Sequence, residues 1–193
     1  VRTPQSSDDF SKSVLSPQWE WNYQPRDEMW SLTERPGYLR LKAFRPLVMD
    51  NLLKAGNTLT QRCFRTNKNE VIVKMNIEGM VDGQKAGLCH YSKSYAMVGV
   101  RQSGKVRNLK VQSNKEKITG PAIKGSKVWI KSVWGLDGKS QFSYSTDGRK
   151  FTPFGEVYQL EWGYYRGSRI GIYCFNNIAD AGYIDVDEFI YLY

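Results

Sequence analysis

"KVWIKSVWGLDGKSQFSYSTDGRKFTPFG", residues 127–155, sets two Asp-Gly pairs, Asp137-Gly138 and Asp147-Gly148, between runs that alternate apolar and polar side chains. Tight hairpin turns need positive φ at their central residues, which Asp tolerates and Gly adopts freely, so Asp-Gly between alternating runs is a strong hairpin signal. The same alternation recurs to either side. Residues 37–44, "GYLRLKAF", put Leu39, Leu41 and Ala43 on one face and Tyr38, Arg40 and Lys42 on the other. Residues 70–79 do likewise with Val71, Val73, Met75 and Ile77. Residues 85–111 read as two or three strands with a turn at Ser103-Gly104, and 168–176 and 182–193 as two more. Sustained helical spacing is missing; "PLVMDNLLKAG" (46–56) supplies at most one short helical turn. Strands at regular intervals with Gly and Asp turns predict an all-β, two-sheet antiparallel β-sandwich of jelly-roll type. With no internal repeat, low-complexity stretch or linker, residues 1–193 are expected to form a single domain.

A chain of 193 residues is long enough to bury a sizeable core, and its 40% apolar and 24% charged content is ordinary for a globular protein. No apolar run approaches the roughly 20 residues of a membrane helix, so no membrane partner is expected. The sequence lacks a signal-peptide pattern and begins with Val1 rather than Met, which suggests a processed chain or a fragment of a longer one. The net charge of +9, from 28 basic and 19 acidic residues, raises an acidic polymer or nucleic acid as partner. Yet the basic residues are dispersed, and Glu116, Gly120 and Pro121 interrupt the densest run, 105–127. That run reads as a solvated hairpin face, and nucleic acid is not the expected partner.

Catalytic material is scarce. Three cysteines, Cys63, Cys89 and Cys174, cannot all pair within the chain, lack metal-ligand spacing and sit in apolar, strand-like contexts. They neither require nor exclude an exported location. One histidine, His90, leaves little for a zinc site or a His-activated nucleophile. Paired carboxylates remain. Asp185 and Asp187, two apart in a strand, are expected on one face, with Glu188 on the other. Neighbours on one strand match poorly the two carboxyl groups that a glycosidase sets across a bond. "DVDEF" also lacks the first Glu of a Glu-x-Asp-x-Glu strand. A structural Ca²⁺ fits such carboxylates better, with Asp8 and Asp187 as candidate ligands if the first and last strands pair.

The aromatic content of 13% points elsewhere. A sugar offers an apolar C–H face for ring stacking and hydroxyls for amides, carboxylates and guanidinium groups. "WEWNYQPRDEMW" (19–30) puts Trp19 and Trp21 on one strand face, offers Asn22 and Tyr23 in a loop, and ends at Trp30. "LTQR" supplies Gln61 and Arg62, and "LEWGYYRGSR" groups Trp162, Tyr164 and Tyr165 with Arg166 and Arg169. Each Trp taken singly reads as core, because large aromatics dominate interiors. The loop tyrosines read as rim.

The string "SSDDFS…QWEWN…WSLTERPGYLRLKA" resembles the opening of the concanavalin-like β-sandwich at the C-terminus of family 43 glycoside hydrolases, enzymes of β-xylosidase and α-L-arabinofuranosidase type. The likeness continues through "NTLTQR", "AGLCHYSKSYAMVGV", "FSYSTDGRKFTPFG", "RIGIYCFN" and "GYIDVDEF", covering nearly the whole chain. The resemblance implies a concanavalin-like jelly roll appended to a five-bladed catalytic propeller that this chain lacks, and a periplasmic or secreted parent. It also implies that a sandwich loop, here around "YYRGSR", helps close the propeller's substrate pocket. Relatives often carry Phe in that stretch; this sequence has Arg169. Trp-x-Trp then fills the inter-sheet core or the domain contact, while Asn22, Tyr23, Glu34 and Arg35 turn toward sugar or propeller. Glu34 and Arg35 read first as turn and ion-pair residues.

Three functions follow. The favoured one is an accessory, non-catalytic module acting on xylan or arabinoxylan, whose partners are a xylan-type polysaccharide or oligosaccharide and the catalytic propeller of its own polypeptide. The alternatives are an independently acting glycosidase on a jelly roll and a basic nucleic-acid-binding domain.

Overall fold

A computed structural model describes residues 5–23, 25–163 and 165–193. In chain order its strands are β1 (Glu20–Asn22), β2 (Trp30–Ser31), β3 (Leu39–Lys42), β4 (Thr58–Arg62), β5 (Asn69–Asn76), β6 (Gln84–Tyr91), β7 (Tyr95–Ser103) and β8 (Val106–Ser113). They continue as β9 (Lys117–Ala122), β10 (Lys127–Trp134), β11 (Lys139–Ser145), β12 (Thr152–Pro153), β13 (Tyr158–Gln159), β14 (Arg169–Asn176) and β15 (Tyr183–Leu192). One sheet runs β1-β4-β14-β6-β7-β8-β9 and the other β12-β11-β10-β5-β15-β3-β2, with β13 also on β11. All these pairings are antiparallel.

The alternation read in the sequence sets the inner faces. Leu39 and Leu41 of β3, and Val71, Val73 and Met75 of β5, are fully buried against Leu88, Val98 and Ile172 of the facing sheet in one continuous core. Each such side chain contributes roughly 1.5–3 kcal/mol by leaving water. Asp137-Gly138 closes the β10–β11 hairpin, with Gly138 at φ 72°. Gly148, at φ 76°, follows an Asp147 carboxylate that collects the Arg149 and Lys150 N–H groups and the Ser145 hydroxyl. Those two amides, then the hydroxyl, hold the Asp147 carboxyl down at about 2. The segment 46–56 supplies one short 3-10 turn, Leu52–Lys54.

One expectation is corrected in β15. Asp185, Asp187 and Glu188 do not follow simple alternation, because a bulge between Val186 and Glu188 shifts the register on β5. Ile184 and Val186 point into the core before the bulge, and Phe189 and Tyr191 after it. Glu188 therefore leaves by the same outer side as Asp185 rather than the opposite one, since a bulge residue inverts the parity of everything beyond it. The chain ends do meet: Asp8 and Phe189 exchange two backbone hydrogen bonds of 2.8 Å.

The middle of the seven-stranded sheet is buried on both faces. Every residue of β6 and β14 is buried. On the outer side Leu52 and Ala55 cover Cys89, Met97, Tyr173 and Phe175, forming a second, smaller apolar cluster.

Candidate functional surface

At one end of the outer face an ionic lock, buried on its Arg169 side and half-exposed at Glu20, fastens β1 to β14. The Glu20 carboxylate accepts from Arg166 Nη2 and Arg169 Nη2, each at 2.6 Å. Arg169 is only 6% exposed and also donates to the Thr60 hydroxyl at 3.2 Å. Burial opposes ionisation of Glu20, but hydrogen bonds and charge from Arg166 and Arg169 outweigh it and hold the carboxyl below its ordinary value. Arg169 is thus a strap within the sheet. Arg62, opposite it in register on β4, is exposed. Beyond the lock Tyr165 stands 99% exposed. Tyr164 lies outside the described residues.

The three candidate indoles, Trp21, Trp30 and Trp162, face inward. Trp21 packs on Trp30 with ring centroids 5.1 Å apart, and both lean on the main core, as does Trp162, over which the Arg65 guanidinium sits at 5.6 Å. Asn22, on the opposite side of β1 from Trp21, is buried, and its Nδ2 has no hydrogen-bond partner among the described residues. Tyr23, at φ 64° and 42% exposed, lines a groove of about 330 Å³ with Arg26, Phe44 and Lys54. Glu34 pairs with Arg40 and Lys42. Arg35 reaches Asp185 at 3.2 Å and lies 3.8 Å over the Tyr38 ring. Thus Trp21, Trp30, Trp162, Asn22 and Arg169 are packed, Glu34 and Arg35 are paired, and Tyr23, Arg62 and Tyr165 are open. The open residues do not converge on one pocket.

The candidate calcium ligands do not gather either. Asp8 Oδ1 accepts the Phe10 N–H and its Oδ2 the Trp19 indole N–H, both at 2.8 Å, while Asp187 pairs with Lys74 at 2.8 Å. No group of three acidic, His or Cys side chains suited to a cation assembles among the described residues, so this donor set does not fit Ca²⁺.

His90 lies in the inter-sheet core, with Nε2 2.7 Å from the Ser132 hydroxyl and Nδ1 3.5 Å from Cys63 Sγ. Burial lowers its pKa to about 3, leaving a neutral structural imidazole. Burial raises all three thiols, Cys174 to about 12, so none is a thiolate at neutral pH. A cleft of about 250 Å³ holds Glu116, Glu156 and Glu161. There Glu116 accepts the Glu156 N–H, and Glu161 the Ser92 and Ser94 hydroxyls.

Sequence reasoning missed a polar network at the far end of the outer face. Asp50, at φ 60°, carries its carboxylate onto Lys85, Gln112 (3.1 Å) and Asn177 (3.1 Å). The local signal is a lysine, Lys85, set at the head of a largely apolar strand; no motif marks its partners.

The family model of the β-xylosidase C-terminal concanavalin A-like domain matches residues 7–192. The chain belongs to this family. It is 35% identical to a β-xylosidase of Formosa agariphila, an alignment spanning all of this chain and 36% of that protein. It is 33% identical to a putative β-xylosidase of Xylanibacter ruminicola over 84% of this chain and 30% of that one. Among solved structures, a bifunctional GH43-CE protein of Bacteroides eggerthii superposes with a TM-score of 0.87 at 28% identity, covering 96% of this chain and 25% of that one. This concanavalin A-like domain therefore spans about a third of the length of the curated relatives it matches.

Proposed function

We propose that this chain is a non-catalytic accessory module of a family 43-type glycoside hydrolase acting on xylan or arabinoxylan, docking on a catalytic propeller and contributing to its substrate pocket. The observation that supports it most is Tyr165, fully exposed beside a base that Glu20, Arg166 and Arg169 bolt to the sheet. A large amphipathic ring on a rigid mount suits a contact residue, because little conformational entropy is lost on binding. The identity to longer proteins named β-xylosidases supports the parent activity. The side chains here do not supply the chemistry readily: the one imidazole is sealed in the core, and the carboxylates of Glu20, Asp50 and Asp185 already hold internal cations.

The test pairs two assays. The isolated chain is expected not to hydrolyse aryl-β-xyloside or aryl-α-L-arabinofuranoside, and to raise the activity of the separately produced propeller domain of its parent when mixed with it. Turnover by the isolated chain, lost in Glu116→Gln or Glu161→Gln, would overturn the reading in favour of a glycosidase. Retardation in xylan gels separates a glycan-binding module from a purely structural one.

A further inference from the structure

The far end of the outer face holds an arrangement that structural needs do not explain. Lys85 on β6 and Arg101 on β7 are direct cross-strand partners, and Lys110 on β8, opposite Gly99, is the diagonal neighbour of Arg101. Like charges set directly opposite on a sheet are destabilising. The sheet meets part of this repulsion itself: Asp50 neutralises Lys85, which is 91% buried and also donates to Gln112 at 2.8 Å. Arg101 receives no such help. Its side chain makes no hydrogen bond or ion pair among the described residues, and its Nε is buried without a partner. Among the described residues the Lys110 ammonium has only the Thr119 hydroxyl, at 3.0 Å. Burial, then the charges of Arg101, Lys85 and Lys117, pulls the Lys110 ammonium below its usual value, as expected of cations crowded together.

These groups line an open cavity of about 480 Å³, within the roughly 300–1,000 Å³ of small-molecule sites. Four cations, Lys85, Arg101, Lys110 and Lys117, face two carboxylates, Asp50 and Asp82. Asp82 is already engaged by the Gly104 N–H at 2.6 Å. Around them lie the Gln112 and Asn177 amides, both turned to Asp50, the Ser103 hydroxyl and an apolar edge from Ile178, with no aromatic ring for stacking among the described lining residues. Asp50 shows how this wall accepts a carboxylate: one oxyanion bridges a lysine and two side-chain amides.

We propose that this cavity binds the carboxylate of an acidic saccharide, a uronate borne on a polysaccharide, with Arg101 and Lys110 receiving the oxyanion and Ser103 a ring hydroxyl. The choice of a saccharide over a bare anion rests on the glycan-facing reading above; the cationic geometry does not. Binding leans on charge, so it weakens as salt rises.

Calorimetry at low ionic strength, with this 193-residue chain, decides the matter. The titrants are a glucuronate-bearing xylo-oligosaccharide, its neutral counterpart of equal length, and sodium sulfate. The acidic oligosaccharide is expected to bind at least tenfold more tightly than the neutral one. Arg101→Gln and Lys110→Gln should each weaken it fivefold or more with unchanged thermal midpoints, while Lys131→Gln on the other sheet leaves it unchanged. Equal binding of both oligosaccharides, or acidic binding indifferent to both variants, overturns the inference while leaving a glycan-binding module standing. Sulfate binding as tightly, and lost in the same variants, reduces the cavity to a generic anion site and overturns the saccharide assignment. If neither oligosaccharide binds, the inference falls and only the docking role survives.

Discussion

Arg40 grips Asp185 with two parallel hydrogen bonds, Nε to Oδ1 at 2.8 Å and Nη2 to Oδ2 at 3.0 Å, across the β3–β15 register pair that joins them. Asp185 is 2% exposed, and its guanidinium partner is raised above the usual arginine value, chiefly by that hydrogen bonding. Forked arginine–carboxylate pairs are strong and geometrically specific. Removing one member leaves the other buried and poorly compensated, so Arg40→Met is expected to cost roughly 3 kcal/mol. Arg35 should sustain part of the charge balance, making Arg35→Met the milder change. Urea midpoints would check this; equal, small losses for both would mean that the fork contributes nothing special.

The buried imidazole makes stability depend on pH. His90 has a folded pKa near 3, below its unfolded value, so between the two the unfolded chain binds the extra proton. Stability must then fall as pH drops from neutral, by about 2 kcal/mol between pH 7 and pH 5. The carboxylates with lowered values, such as Asp147, act in the same direction only at lower pH, below their unfolded value. In His90→Gln the pH 7 to pH 5 segment should flatten, whatever its absolute stability. A wild-type curve already flat there would contradict a proton-excluding core.

Gly87 and Gly99 face each other across β6 and β7 beside the Tyr173 hydroxyl. A Cβ on Gly99 would collide with the Ala86 carbonyl oxygen and lie 2.7 Å from both Gly87 Cα and the Tyr173 hydroxyl oxygen. Gly99→Ala is expected to destabilise by roughly 3 kcal/mol through overpacking. Gly125→Ala, where an added Cβ meets nothing within 4 Å, is the matched neutral change. Thermal melts of the two variants should diverge clearly.

Tyr165 should matter for partnership and not for folding. Tyr165→Ala is expected to change stability by less than about 0.5 kcal/mol, as ordinary surface changes do. It should lower the stimulation of the separately produced propeller severalfold. Arg169→Met, by contrast, removes a buried strap to Glu20 and should lower the melting midpoint. Stimulation undiminished by Tyr165→Ala would move the contact elsewhere.

Much of the fold was legible because two-residue alternation is enforced wherever one sheet face is buried. Leu39, Leu41, Val71, Val73 and Met75 all announced their direction, and the Asp-Gly at 137–138 its hairpin. The bulge at Asp187 was harder, although the spacing of Ile184, Val186, Phe189 and Tyr191 carries its mark. The surface was less legible because its logic is long-range. Arg169 and Glu20 lie 149 residues apart, and nothing local to either names the other. The Lys85–Arg101 contact exists only once the β6–β7 register is fixed, and the Asp50 that tempers it comes from a loop read merely as a helical turn. Trp21, Trp30 and Trp162 pack on the core, the reading that large aromatics favour when taken singly.

The patch of loop laid over Tyr173 and Phe175 divides the broad side of this sheet into two separate berths. Tyr165 and the Arg101 cavity lie on opposite sides of that patch, so a substitution at one is expected to leave the behaviour of the other unchanged.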